Sequence, residues 1–250
     1  MDYIEEGKKE HRLLSEYSEA RNTELTRIFD SESDVIQFYE ILVCALTLIL
    51  AESRSDKVHD RSIRDLMADT FDTLYFCRKA IYSGFFGVAF PLMRISFEKI
   101  ALIHYFMLLP EKAKVWDSGK TIMNSEVRRF LDSQPMGEDG TDLKRFYDKY
   151  SSAIHLNRSY VPERFLGEGN EFVLGVIGAP DLFVVADFVA ELLDLWFWFG
   201  AIISFNYRKE IEKHSTDFHR YYFKIAGRME TVAQELHERR LKYLAKDQGV

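Results

Sequence analysis

Cysteine, proline, long apolar runs and surplus basic charge are all scarce in this 250-residue chain, and each shortage removes a class of protein. Its two cysteines, Cys44 in LVCAL and Cys77 in LYFCRKA, cannot build a disulfide framework. Both fall on apolar helical patterns and read as buried free thiols, which suits a reducing cytoplasm. The charged N-terminus MDYIEEGKKEHR lacks the apolar stretch of a signal peptide. The longest uncharged apolar runs, ILVCALTLILA over 41–51 and LWFWFGAIISF over 195–205, each reach about half the length that crosses a bilayer. No transmembrane segment and no membrane partner are expected. The formal net charge of −7 argues against a protein that coats nucleic acid nonspecifically, since that binding needs excess Lys and Arg against phosphate. Local basic patches stay open. Residues 206–250 carry ten basic and seven acidic side chains, whereas residues 1–34 carry five and ten, an asymmetry that reads as solvated helical surface.

What is present is the balance of a folded protein: 47% hydrophobic and 29% charged residues, with few helix breakers. At this length one large helical domain is expected. Residues 2–29 space Ile4, Leu13, Leu14, Tyr17, Leu25, Ile28 and Phe29 as one or two amphipathic helices, an N-terminal arm over about 1–30. A second helix starts at Ser31 or Ser33, either of which can cap it, and runs to about Glu52. The pattern Ile63, Leu66, Met67, Leu74, Cys77, Ile81 gives a third, ended by Gly84–Gly87. A fourth follows to Leu109, with Pro91 kinking it or marking its true start. Short helices over 111–117 and 121–133 precede the loop QPMGEDGT, and Thr141 can cap a helix over 142–157. Residues 159–180, with EFVLGVIG, Gly175 and Gly178, form a short non-helical or hairpin insertion. Pro180 and Asp181 open a long apolar helix to about Lys213; Ser215 or Thr216 then caps a last helix.

Several motifs fail on chemistry. SGKT at 118–121 resembles the end of a phosphate-binding loop, yet the glycine required five residues earlier is Lys114. Asp187, Glu191 and Asp194 share one helical face and could hold a divalent cation, but no Glu-x-x-His partner stands elsewhere, so an ion-paired or solvated face is the plainer reading and no metal is assigned. The aromatics Trp196 to Phe199 and the Tyr221–Phe223 run read as core or dimer contact rather than a base-stacking platform.

Two helices are more informative. In PLMRISFEKIALIHYF, Arg94 and Glu98 stand one turn apart in an otherwise apolar stretch, so both are expected to point into the bundle as an internal salt bridge or a polar site. In helix 142–157, Leu143, Phe146, Tyr147, Tyr150 and Ile154 form the apolar stripe, leaving Ser151, His155 and Arg158 together on the other side. Imidazole can move a proton near neutral pH and a guanidinium can hold phosphate, so phosphodiester cleavage is open to this set; a structural histidine is the alternative.

The run GFFGVAFPLMRISFEKIALIHYFMLLPEKAKVW, followed by FYDKYSSAIH and a glycine-bearing link into a long apolar helix, resembles uncharacterised bacterial helical proteins grouped near the HEPN superfamily. In those an Arg-x-x-x-Glu helix and a Ser-x-x-x-His helix recur. The likeness covers about 60–205 and implies an all-α, up-and-down helical bundle that dimerises, here with extra N- and C-terminal helices around a core over 31–213 and a C-terminal helix over 214–250. In active members it implies a metal-independent endoribonuclease of toxin or phage-defence type, with four to six residues between its Arg and its His. Here the matching window before His155 holds Asp148, Lys149 and Tyr150, so only Lys149 can stand in, without the bidentate fork of arginine. Arg54–His59 and Arg208–His214 have the literal spacing but lie outside the two resembling helices, and chance supplies such pairs. The expected roles are His155 as general acid/base, Arg158, Arg94 or Lys149 on phosphate, Glu98 orienting Arg94, and Ser151 beside them. The expected protein is a cytoplasmic homodimer acting on RNA or a nucleotide without a cofactor. The competing expectation is a non-enzymatic module that binds a protein partner, its polar residues forming an internal network.

Overall fold

The computed structural model describes residues 3–52, 58–134, 143–144, 147–148, 182–214 and 218–247. Among them all regular structure is helical and no strand occurs. In chain order the helices are α1 (Tyr3–Ile28), α2 (Asp30–Glu52), α3 (Val58–Tyr82), α4 (Phe86–Leu108), α5 (Pro110–Asp117), α6 (Asn124–Asp132), α7 (Leu182–Asn206), α8 (Arg208–His214) and α9 (Phe218–Asp247). The expected insertion near 159–180, the caps at Thr141, Ser215 and Thr216, and Arg54 lie outside the described residues.

α3 and α4 make the most extensive helix pair, and their turn shows why the chain reverses there. Gly84 takes φ 82°, its N–H donates to the Ile81 carbonyl at 3.0 Å, and the Phe85 N–H donates to Ala80 at 2.7 Å. These two bonds form a Schellman cap, which needs a left-handed residue that glycine enters without a Cβ clash. α4 therefore begins at Phe86, and Pro91 lies inside it rather than at its start. The same device ends α5. Gly119 has φ 82°, with bonds from its own N–H to Trp116 and from Lys120 to Val115, so the glycine of SGKT is a helix stop.

Core residues from α2, α3, α4, α8 and α9 surround α7, whose Trp196, Phe199 and Ile203 are sealed. α5 and α6 add Ala113, Val127 and Leu131 at the edge. Gly200 admits the Tyr39 ring of α2, since a Cβ there would sit 3.0 Å from Tyr39 Cδ1. The long last apolar helix is interrupted at Tyr207, giving α7 and α8 rather than one rod to Lys213. α2 starts at Asp30, one residue ahead of Ser31 and three ahead of Ser33, and the Asp30 Oδ1 accepts the Ser31 N–H at 2.7 Å. Ser33 does not cap because it lies inside the helix, where its hydroxyl accepts a bond from Arg78 at 3.1 Å.

α2 also revises two expectations. Cys77 is buried as expected and its thiol is pushed far up by burial, whereas Cys44 is exposed. Ile41, Cys44, Ala45 and Leu48 all face outward, so the run 41–51 is apolar on both sides and periodicity could not assign Cys44 to one of them. Over Asp30–Ala51 the helix is long and apolar enough to cross a membrane, a length the uncharged run alone understates, and less than half of that stretch is buried in the protein. Its inner face carries buried Glu32, Ser33 and Glu40.

Gly119→Ala should cost about 1 kcal/mol in urea unfolding, although no atom lies within 4 Å of the added methyl, because the penalty is the left-handed backbone itself. Unchanged stability would mean that α5 ends without that turn.

Candidate functional site

α4 buries Phe90, Met93, Phe97 and Ile100 and leaves Arg94 and Glu98 at the boundary of the core. The pair is neither sealed nor solvated: side-chain exposures are 18% and 23%. Arg94 Nε donates to Glu98 Oε1 at 3.0 Å, the i, i+4 geometry that the spacing demanded. Arg94 Nη2 also donates to the hydroxyl of Tyr147 at 3.2 Å, with its guanidinium carbon 5.0 Å from the ring centroid. From α6, Arg128 stacks on the same ring at 3.6 Å. Residues 143–144 and 147–148 are helical, and Leu143 and Tyr147 pack on the core as their place in the apolar stripe requires. Ser151, His155, Arg158 and Lys149 lie outside the described residues. Of the expected set, Arg94 and Glu98 are thus together, and Arg128 is an addition that its place in the polar-looking NSEVRRFLD did not signal.

Next to this cluster, Glu126 accepts bonds from Lys112 at 2.6 Å and Tyr105 at 2.7 Å, tying α4, α5 and α6. The Lys112 bond, and then the tyrosine, hold the Glu126 carboxyl below its usual range. His104, half-buried near Trp198, is pushed down by desolvation, which favours the neutral ring.

A second polar system joins α2 to α3. Arg78 donates to Glu40 at 2.7 Å and to Ser33, and burial pushes the Glu40 carboxyl up while Arg78 opposes the shift. A third joins α9 to the bundle. Arg239 pairs with Glu32, which has no exposed surface, and donates to the Ile28 carbonyl at 2.9 Å; Arg228 pairs with Asp34 at 3.1 Å; Arg240 pairs with Asp187. The acidic first segment and basic last segment are therefore partners, where the composition read as separate solvated surfaces.

The carboxylates of α7 divide accordingly. Asp187 holds Arg240, Glu191 is buried, and Asp194 reaches the surface. Among the described residues no three His, Cys, Asp or Glu side chains are placed to hold a metal ion. Of the chance Arg/His pairs, Arg208 is committed to Glu212 at 2.8 Å.

Although Asp194 reaches the surface, the protein packed around it displaces part of its water and pushes its pKa up to about 6, with Arg240 pulling the other way. The folded state then holds this proton more tightly than the unfolded chain, whose carboxyl titrates near pH 4 (about 3.9). This contribution to stability should be complete below pH 4, decline as pH rises through about 6, and stay flat above. Urea unfolding from pH 4 to 8 should show that decline in the wild type and not in Asp194→Asn; identical slopes would mean a fully hydrated carboxyl. Compared with protein-family models, curated proteins and solved structures, the chain gives no match, and what its site can do rests on the site's own chemistry.

Proposed function

We propose that the chain acts on RNA or a nucleotide as a HEPN-like, metal-independent ribonuclease in the cytoplasm, of the kind used in toxin or phage-defence systems. The observation that supports it is the bond from Arg94 to Tyr147, in a site with Glu98 fixing the guanidinium. Tyr147 precedes Ser151 by four residues and His155 by eight in the sequence, so the Arg-x-x-x-Glu helix bonds to the segment that leads into them. In this reading His155 takes the proton of a ribose 2′-hydroxyl, whose oxygen attacks the adjacent phosphorus. Arg94, Arg158 or Lys149 carries the charge that builds on the phosphoryl oxygens, and the bond from phosphorus to the 5′-oxygen breaks, leaving a 2′,3′-cyclic phosphate and a 5′-hydroxyl that takes its proton from water. Imidazole and guanidinium suffice for this chemistry, and no cofactor is needed.

Purified protein incubated with a mixed RNA pool in EDTA should cleave it, and His155→Ala should lose at least about 100-fold in rate, the usual share of a general acid/base. Its melting temperature should barely change. Intact RNA at high protein concentration, or a variant that loses stability instead of activity, counts against this reading.

A different observation favours an interaction module. Outward on α2, Ile41 and Leu48 are 59% and 60% exposed with Cys44 and Ala45 between them, an arc without charge. Small residues flanked by large ones make a self-complementary stripe, which a twofold helix pair requires. In this reading the chain is a homodimer, and it need not be an enzyme. Light scattering after size exclusion should give twice the chain mass for wild type and the single mass for Ile41→Glu/Leu48→Glu; a wild-type monomer would remove both the dimer and any site shared between copies.

A further inference from the structure

Two arginines from different helices meet at one tyrosine. Arg128 of α6 lies flat over the Tyr147 ring at 3.6 Å, and Arg94 of α4 stands 5.0 Å from the same centroid while bonding the hydroxyl. Like charges brought this close repel, and in a half-buried setting water screens them poorly. Glu98 neutralises Arg94. Among the described residues Arg128 has no such bonded partner: Asp132, one turn on, attracts it only through space, and the Arg128 Nη1 is buried and meets no hydrogen-bond acceptor. The Asp132 carboxyl has a buried Oδ1 that is likewise unpartnered, so no hydrogen bond of that oxygen reaches the cation. A buried guanidinium N–H without an acceptor is costly enough that it calls for a missing partner.

The geometry points to what that partner is. Stacking uses the face of a guanidinium and leaves its N–H edge in plane, where it can grip an oxyanion through two parallel bonds. Tyr147 sets both forks, Arg128 through the ring and Arg94 through the hydroxyl. A carboxylate, with two oxygens, satisfies one fork; a phosphate has oxygens for both. We propose that Arg128 and Arg94, aligned by Tyr147, bind a phosphate group, free or carried on a nucleotide or RNA strand. This rests on the RNA- or nucleotide-directed reading and adds to it an arginine from α6 that neither the motif nor the spacing supplied. The rival role for the same contacts, docking Tyr147 on α4 and α6, needs the ring but no anion.

The test uses the full chain, with Arg128→Lys, Arg128→Gln and the exposed neighbour Arg129→Gln as control. Melting is followed with and without inorganic phosphate at constant ionic strength, and binding of a fluorescein-labelled single-stranded RNA 12-mer by anisotropy. Phosphate should raise the melting temperature of wild type and Arg129→Gln and leave both Arg128 variants unmoved. RNA affinity should fall about ten- to a hundredfold in Arg128→Lys, which keeps the charge and loses the fork. An equal phosphate response in the Arg128 variants, or none in wild type, overturns the site. Should neither Arg128 variant fold, Arg94→Lys carries the same comparison. A response to phosphate but not to RNA assigns the site to free phosphate or a small phosphoester. A phosphate response lost with Arg128, in a protein that cleaves no RNA, keeps the site and removes the ribonuclease. His155-dependent cleavage indifferent to Arg128 keeps the ribonuclease and overturns the site.

Discussion

The buried carboxylate of Glu32 is the constraint on which the arrangement of the bundle depends. A charge with no exposed surface must be paired, and removing one partner of such a pair costs about 3–5 kcal/mol. Its partner, Arg239, comes from the other end of the chain and at once bonds the last carbonyl region of α1 at Ile28 and covers the ring of Phe29. One guanidinium thereby closes the joint between α1 and α2 and fixes where α9 lies. Arg228 on Asp34 and Arg240 on Asp187 extend the same clamp along α2 and α7. Exposed pairs of this kind contribute little each, so the selectivity of docking resides chiefly in the sealed one.

That clamp has a consequence for α2. Its inner face spends positions on Glu32, Ser33 and Glu40, the last held by Arg78, while its outer face from Ile41 to Leu48 is apolar. The usual amphipathic order is partly inverted. The core it would otherwise dominate is supplied by α7, which has buried apolar residues on most sides and packs on α2, α3, α4 and α9. Gly200 makes that packing close, because the Tyr39 ring occupies the space a side chain would fill.

Around Tyr147 the structure ties function to the same logic. α4 and α6 have no reason from local sequence to share a residue, yet Arg94 and Arg128 converge on one ring from the two helices. The Lys112–Glu126–Tyr105 bonds fix α6 against α4 and α5, so the two guanidiniums are held by a braced corner. Fixed donors of this kind need little rearrangement when an anion arrives.

Local physics made much of the chain legible. Helical periodicity, the glycine stop at Gly84, and the i, i+4 spacing of Arg94 and Glu98 each involve residues within a turn or two of one another, and the structure contains them. Where the run 41–51 is apolar on every side, sequence could not say which face Cys44 occupies, because periodicity carries no signal without contrast. Arg128 was illegible for a related reason: nothing in NSEVRRFLD separates an arginine that stacks on a distant tyrosine from its solvated neighbour Arg129. The pairing of the acidic start with the basic end joins residues some two hundred positions apart. The sequence by itself determined most of the described helices, the stop at Gly84 and one ion pair, since these are set by short-range sterics and hydrogen bonding. Only the tertiary structure decided which charges meet and which apolar faces stay open, because burial and Coulomb energy depend on neighbours in space rather than along the chain.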